Sequence, residues 1–105
     1  MSIDALDITQ ITEKSADAAH LLKLLSNQHR LLILCHLVEG ELCVSDLEQR
    51  LDISQSSLSQ HLARLRDKGI VDFRKESTTV YYRLADPKAK KVLETLYHLY
   101  CAEGA

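Results

Sequence analysis

One stretch, residues 54–69 with the sequence SQSSLSQHLARLRDKG, most restricts the folds open to this chain. Its first residue, Ser54, suits a helix N-cap because its hydroxyl can accept from unpaired amides of the first turn. Its last residue, Gly69, suits the left-handed position that follows a helix. At about 100° per residue, one side of the helix collects Leu58, Leu62 and Leu65. The pattern predicts an amphipathic helix with both ends marked.

The face opposite these leucines predicts contact with DNA. It carries small, hydroxyl and amide side chains followed by arginine, where an ordinary solvated face is rich in Glu and Lys. Such side chains fit a major groove, since Gln can pair with adenine and Ser can serve bases or phosphates. The candidate DNA-binding residues here are Ser54, Gln55, Ser56, Ser57, Ser59, Gln60, His61 and Arg64. For Ser54, Gln55 and His61, capping or packing is the competing role. For the whole segment, the alternative to a DNA-binding helix is a serine-rich surface helix.

A shorter helix is predicted just before this one. Ser45 and Glu48 have the spacing of a capping box, and helical sequence continues to about Leu51. Residues 52–54 then form a three-residue turn, and apolar residues on both sides can hold the two helices at a steep angle. Residues 45–69 are thus predicted to form a helix-turn-helix.

Residues 70–84 predict a β-hairpin. Two runs rich in β-branched and aromatic residues, roughly 70–75 and 79–84, flank a short polar segment. A helix-turn-helix followed directly by a hairpin is a winged helix, and Arg74 and Lys75 are predicted to bind DNA from the wing. Residues 41–44 are expected to add a very short strand beside it.

Two helices are predicted ahead of this unit. Residues 1–8 are expected to form a flexible arm, and residues 9–25 have the apolar periodicity of a helix. Ser26 is predicted to cap a second helix over residues 27–38. Its expected core residues are Leu31, Leu34, Leu37 and Val38.

A last helix, residues 87–101, is predicted with Asp86 as its N-cap and Pro87 as its first residue. Its apolar residues cover more than one narrow stripe, which favours a second buried surface. The expected fold class is therefore mainly α with a small β-hairpin (α+β). Residues 1–105 are predicted to form a single winged helix-turn-helix domain with five helices and a two-stranded wing.

Composition indicates a soluble, cytoplasmic protein. Of 105 residues, 46% are hydrophobic, and neither a signal peptide nor a membrane span is expected. Cys35, Cys43 and Cys101 cannot all pair within one chain and show no CxxC spacing. Since no export signal is expected, reduced thiols are expected. The net charge of −2 is unevenly distributed along the chain, since residues 54–85 carry six Lys/Arg and only three Asp/Glu. Positive charge therefore lies where DNA contact is predicted.

Most of residues 20–84 lies in three segments, LLSNQHRLLILCHL, GELCVSDLEQRLDISQSSLSQHLARLRDKGIV and STTVYYRL. These segments resemble the ArsR/SmtB family of small bacterial winged-helix repressors. The resemblance implies a homodimer joined through its first and last helices, bound to double-stranded operator DNA and released by a small inducer. No cofactor is expected.

The thiols help to choose among the inducers that this resemblance allows. Arsenic- and cadmium-sensing members look like ELCVCDL at the start of the third helix, where two cysteines bind a soft metal ion. This chain has ELCVSDL, in which Cys43 matches the first ligand and Ser45 replaces the second. The last helix offers no convincing zinc or nickel set either. No metal site is expected, and Cys43 with ligands from elsewhere is the metal(loid)-sensing alternative.

Sulfide- and redox-responsive members of the family resemble this chain more closely. They carry one cysteine in an ILC motif of the second helix and one near the end of the last helix, and Cys35 and Cys101 match both positions. Spacing alone favours Cys35 as a small apolar filler. The resemblance instead implies that both cysteines sense persulfide, polysulfide or redox state. A bridge with one or more additional sulfurs would then join them and lower operator affinity.

Two other function classes compete with a DNA-binding regulator. A protein-binding winged helix would show a large exposed apolar patch and no salt-dependent DNA affinity, and the serine-rich, arginine-bearing helix argues against it. A thiol enzyme would need Cys and His in a substrate site. The five histidines are scattered, and no Gly-rich loop or carboxylate constellation accompanies them. We therefore expect no enzyme.

Overall fold

The computed structural model describes residues 6–101 as five helices and a small antiparallel sheet. The elements are α1 (Ile8–Leu25), α2 (Gln28–Leu37), β1 (Leu42–Cys43), α3 (Val44–Arg50), α4 (Gln55–Asp67), β2 (Val71–Glu76), β3 (Thr79–Leu84) and α5 (Pro87–Tyr100). The predicted winged-helix fold class is confirmed. Residues 1–5 of the predicted arm lie outside the described residues. The arm ends earlier than predicted, because the Asp7 carboxylate caps α1.

The junction between α1 and α2 corrects one predicted cap. Asn27, not Ser26, is the N-cap of α2, and its side chain accepts from the amide of Arg30 at 3.0 Å. Ser26 instead ends α1, because its amide donates to the carbonyl of Lys23 at 3.2 Å. The Arg30 Nε also donates to the Leu24 carbonyl at 2.6 Å, so a cation satisfies a carbonyl at the end of α1.

The start of α3 corrects a second cap. The predicted capping box of Ser45 and Glu48 is wrong, since α3 begins at Val44 with Cys43 in the N-cap position and no side-chain cap bond. Ser45 lies inside the first turn instead. The cause is tertiary: β1 pairs with β3, which holds Cys43 extended (φ −80°, ψ 165°) directly before the helix.

The end of α4 is the predicted glycine cap. Gly69 has a φ of +76°, and its amide donates to the Arg66 carbonyl at 3.0 Å. The Ile70 amide donates to the Leu65 carbonyl at 2.9 Å. These two bonds form a Schellman motif, and the buried side chains of Leu65 and Ile70 both belong to the core beneath it.

The last helix begins as predicted. The Asp86 carboxylate accepts from the Lys88 amide at 2.8 Å, and Pro87 is the first helical residue. The helix ends one residue earlier than predicted, at Tyr100, and Cys101 is its C-cap. The last cysteine therefore follows α5 directly.

The sheet has three antiparallel strands in the order β1-β3-β2. β2 and β3 form the predicted hairpin, whose two-residue loop places Ser77 at a φ of +58°. The short strand expected at residues 41–44 is confirmed as β1, in which Cys43 pairs with Tyr81. β1 therefore attaches the wing to the start of α3.

A leucine-rich core holds α4 against the other elements. Leu58, Leu62 and Leu65 are at most 2% exposed. The buried residues around them are Leu24, Leu25, Ile33, Leu34, Leu37, Leu47, Ile70, Val71, Ala89 and Leu93. Among residues 6–101 no polar or charged side chain is buried, so apolar packing alone makes this core.

The buried face of α2 is rotated slightly from the prediction. Leu34 and Leu37 are buried as predicted, whereas Leu31 and Val38 are only half-buried. Ile33, which was not predicted, is fully buried instead.

Much of α1 and α5 is apolar and exposed. Every residue from 6 to 20 is exposed, so α1 meets the core only through its last turns. On α5 the large exposed side chains are Tyr97, Leu99 and Tyr100. The chain is accordingly elongated, with extents of 51 × 34 × 22 Å. Within the described part of the chain, no helix combines the length and apolarity needed to cross a membrane.

We expect Gly69→Ala to lower the free energy of unfolding by about 1–2 kcal/mol. An added Cβ meets nothing within 4 Å, so the cost comes from the left-handed backbone alone. Gly69→Asn is the matched control and should recover part of the loss, because Asn tolerates this conformation better than Ala. Urea unfolding measures the differences. Equal stability of the wild-type and Ala proteins would contradict the proposed cap.

Candidate nucleic-acid interface and thiol pair

The outer face of α4 presents side chains that were predicted to bind DNA. The exposed ones are Gln55, Ser56, Ser59, Gln60 and Arg64. They are small or amide-bearing in the first two turns, and Gln60 and Arg64 stand one turn apart on the same side. The buried leucine stripe fixes this orientation, because rotating α4 would expose it to water.

Ser54 and Ser57 support the start of α4. Ser54 Oγ accepts a hydrogen bond from the Ser57 amide at 3.2 Å, which confirms the predicted N-cap. Ser57 itself is half-buried. The Ser56 hydroxyl lies 3.4 Å from Ser54 Oγ and remains exposed. Ser54 is thus committed to the cap, and Ser57 is partly covered.

His61 faces α2 rather than the outer side of α4. It is half-buried, and its ring centroid lies 6.1 Å from that of His29. Burial lowers the pKa of His61, and the positive charges of Arg30, His29 and Arg64 lower it further. Burial and the charge of Arg64 also lower the pKa of Arg30. The first turn of α2 therefore adds two basic residues beside α4, which sequence reasoning missed because only tertiary packing brings them there.

Arg74 is engaged within the protein. Its Nε lies 3.1 Å from both carboxylate oxygens of Glu41, and its Nη2 donates to Glu41 at 2.6 Å. Its Nη1 donates to Glu76 at 2.7 Å, and the guanidinium lies 4.5 Å from the ring centroid of Tyr81. Hydrogen bonds to Glu41 and Glu76 raise the pKa of Arg74 further above its usual value. In the structure, this predicted DNA-binding residue therefore links the wing to Glu41, the residue before β1.

Lys75 is the more available of the two predicted wing cations. It is exposed and forms no salt bridge with any of residues 6–101. On β2 it shares a face with Phe73, whose ring is covered by Arg66 of α4 at 4.1 Å from the centroid. Sequence reasoning missed Arg66, because its partner on another element leaves no mark in the local sequence pattern.

Cys35 and Cys101 belong to neighbouring parts of the fold, since α2 packs against α5 and Cys101 directly follows α5. Both are exposed thiols, one in the last turns of α2 and one directly after α5. Although part of the Cys35 surface reaches solvent, burial among its neighbours raises the pKa of its thiol, and the charge of a Cys101 thiolate raises it further. The two thiols therefore lie within electrostatic reach of each other.

Cys43 has a different neighbour. It is half-buried at the start of α3, with its Sγ 3.2 Å from Ser45 Oγ. Among the residues that the structure describes, no three His, Cys, Asp or Glu side chains are grouped so as to hold a metal ion. A hydroxyl thus stands beside Cys43 where a two-cysteine site would need a second soft ligand.

Comparison with known proteins identifies the family. The family described as bacterial regulatory protein, arsR family, matches residues 27–72. The transcriptional activator HlyU of Vibrio cholerae is 47% identical over 96 residues, which cover 91% of this chain and 89% of HlyU. The biofilm growth-associated repressor of Agrobacterium fabrum is 41% identical over 102 residues, 97% of this chain and 87% of that protein. This chain belongs to the ArsR family.

The structural comparison agrees with this ArsR assignment. The crystal structure of the transcriptional repressor BigR from Xylella fastidiosa matches with a TM-score of 0.88 at 40% identity, covering 93% of this chain and 100% of that one. ArsR-family regulators bind operator DNA and are dimeric, and this chain is a DNA-binding transcriptional regulator of that family. The similar proteins include both an activator and a repressor, and no catalytic family is indicated.

Substitutions of two neighbouring wing residues should distinguish a role in DNA binding from a role in stability. We expect Lys75→Ala to weaken binding to specific and random duplexes alike, and to flatten the slope of log affinity against log salt by about one per lost phosphate contact. Arg74→Ala should keep that slope but lower the Tm, because it removes the ion pairs to Glu41 and Glu76. Anisotropy titrations and thermal unfolding measure both. A flatter slope with an unchanged Tm for Arg74→Ala would contradict the bracing role.

Cys35 should ionise at a pH that depends on Cys101. We expect Cys101→Ser to lower the pKa of Cys35, because the like charge no longer opposes ionisation, while burial still keeps this pKa above its usual value. The pH profile of Cys35 alkylation by iodoacetamide, followed peptide by peptide, measures the shift. Cys43→Ser is the matched control. An equal shift in both variants would show that the thiols of Cys35 and Cys101 are not coupled.

Proposed function

We propose that this chain is a homodimeric repressor that senses persulfide through Cys35 and Cys101 and leaves its operator when a sulfur bridge joins them. The observation that supports the proposal is the packing of α2, which carries Cys35, against α5, which leads into Cys101; the charge of a Cys101 thiolate also raises the pKa of Cys35. Two thiols within reach of each other, on two different elements, can be joined by a bond that ties those elements together.

Exposed apolar side chains on α1 and α5 support the dimer. Ile8 is 65% exposed, Leu99 is 63% exposed and Tyr100 is 79% exposed. Large apolar patches on a monomer mark interaction surfaces, and a second copy related by a two-fold axis would cover them. Such an axis gives the assembly two α4 helices for two half-sites about 34–36 Å apart, one turn of the duplex.

In this dimer, α4 enters the major groove. Gln60 is assigned to the bases, because its amide can bond to two atoms of adenine at once. Ser56 and Ser59 allow the helix to approach closely, while Arg64 and Lys75 bind phosphates. The residues that face inward, including His61, hold α4 in position rather than touch DNA.

The bridge forms in steps that balance sulfur and electrons. Each thiolate attacks the outer sulfur of a persulfide donor, R–S–SH, and R–S⁻ leaves, so that Cys35 and Cys101 both become persulfides. The persulfide anion on Cys35 then attacks the inner sulfur of the persulfide on Cys101, and hydrosulfide leaves. The product is a trisulfide. The two electrons given up by the thiols leave with the sulfur atom that becomes hydrosulfide.

α2 provides the connection between the thiols and α4. Its later turns carry Cys35 against α5, and its first turn places His29 and Arg30 beside His61 and Arg64 of α4. A bridge that shifts this short helix relative to α5 therefore also shifts the helix that contacts DNA. A difference of about 1–3 kcal/mol between the two states changes operator affinity about 5–150-fold.

We expect a persulfide donor to form the trisulfide between Cys35 and Cys101 and to weaken operator binding about 5–150-fold. Peptide mass spectrometry of the full chain detects the bridge, and anisotropy with an operator selected from random duplexes measures DNA release. Cys35→Ser and Cys101→Ser should each abolish both effects, whereas the matched control Cys43→Ser should keep both.

Two results would refute this function. One is a complete bridge with unchanged operator affinity, and the other is donor-induced release by the Cys35→Ser variant. Release by Cd(II) or As(III) that disappears in Cys43→Ser, with no response to persulfide, would instead favour the metal(loid)-sensing alternative.

A further inference from the structure

A groove of about 870 Å³ lies beside Cys35, between the end of α2, β1 and α5. Val38, Leu42, Leu93 and Tyr97 supply much of its apolar lining. Small-molecule sites commonly have a volume of this order, apolar walls and a few polar groups. Of the three thiols, Cys35 alone lines the groove, so a molecule held there is near Cys35 and not near the other two.

The charges around the groove are only partly balanced. Glu41 is bound by Arg74 and is therefore occupied. Glu39 and Glu94 form no salt bridge with any of residues 6–101, and neither does Arg50 on the α3 side of the groove. Among the described residues, the groove thus has two carboxylates and one guanidinium that form no salt bridge. This set complements a ligand that carries both an ammonium group and a carboxylate.

We propose that this groove binds the sulfur donor itself, as the persulfide of a short cysteine peptide with a free ammonium group. The inference rests on the proposed function and deepens it by naming the donor class. The ammonium group faces Glu39 and Glu94, the carboxylate faces Arg50, and the persulfide lies against Cys35. An inorganic hydropersulfide or an N-acetylated donor lacks the ammonium group and meets the two carboxylates with a negative charge.

Docking assists the first sulfur transfer. The Cys35 thiolate attacks the outer sulfur of the donor, the bond between the two donor sulfurs breaks, and the peptide thiolate leaves and takes up the proton that Cys35 lost. Burial and the charge of a Cys101 thiolate raise the pKa of Cys35, which makes its reactive thiolate form less populated. Holding the donor at this sulfur raises its effective concentration and offsets the reduced thiolate fraction.

An unreactive analogue tests the groove directly. S-Methylcysteinylglycine keeps the ammonium group and the carboxylate but cannot donate sulfur. In the reduced protein, this analogue should slow alkylation of Cys35 by iodoacetamide in a saturable way. About a 5-fold higher concentration of its N-acetyl derivative should be required for the same protection.

Variants locate the binding charges. The double substitution Glu39→Gln with Glu94→Gln should remove the preference for the free ammonium group. Asp52→Asn, which removes a carboxylate outside the groove lining, is the matched control and should keep the preference. Equal protection by both analogues in the wild-type protein, or no protection by either, would overturn the inference.

Reaction rates separate this inference from the proposed function. Persulfidation of Cys35 by cysteinylglycine persulfide should saturate with donor concentration, and at low donor it should be about 5-fold slower in the double variant. If all donors instead react at equal rates that stay linear in concentration, while bridging and DNA release persist, docking is overturned and the proposed function stands. If no donor produces a bridge, both are overturned.

Discussion

The burial of Leu58, Leu62 and Leu65 is the interaction on which the rest of the structure depends. At 2% exposure or less, this stripe fixes the rotation of α4 about its own axis. Each buried leucine contributes about 1.5–3 kcal/mol, so a rotation that exposed the stripe would cost a large part of the stability of a domain this small. The small and amide side chains on the other side of the helix must therefore face solvent, on the surface that we propose contacts DNA.

The neighbours of α4 position it through contacts at its edges. His29 of α2 lies against His61 on one side, and Arg66 reaches across to Phe73 of the wing on another. α5 combines two roles in the proposed dimer, since it carries the exposed apolar side chain of Tyr100 and leads directly into Cys101. In the proposed mechanism, a chemical change at this thiol acts on the subunit contact and, through α2, on α4.

Local sequence signals predicted an N-cap correctly where one strong capping residue was present. They were less accurate where a neighbouring residue could take the same position. The caps of α4 and α5, Ser54 and Asp86, were predicted correctly. Ser26 lost its predicted role to Asn27, which accepts the bond from the first turn of α2. Ser45 lost its role because strand pairing places Cys43 at the cap position, and no local pattern could reveal that pairing.

By itself, the sequence determined the winged-helix architecture, the solvent-facing side of α4 and the family resemblance, because periodicity and caps depend on residues within a turn or two of each other. Only the tertiary structure decided which of the predicted functional side chains interact with other residues of the protein. Arg74, which was predicted to contact DNA, forms an ion pair with Glu41, and the thiol of Cys35 lies within electrostatic reach of Cys101. These partners come from distant parts of the chain, so folding, and not local spacing, brings them together.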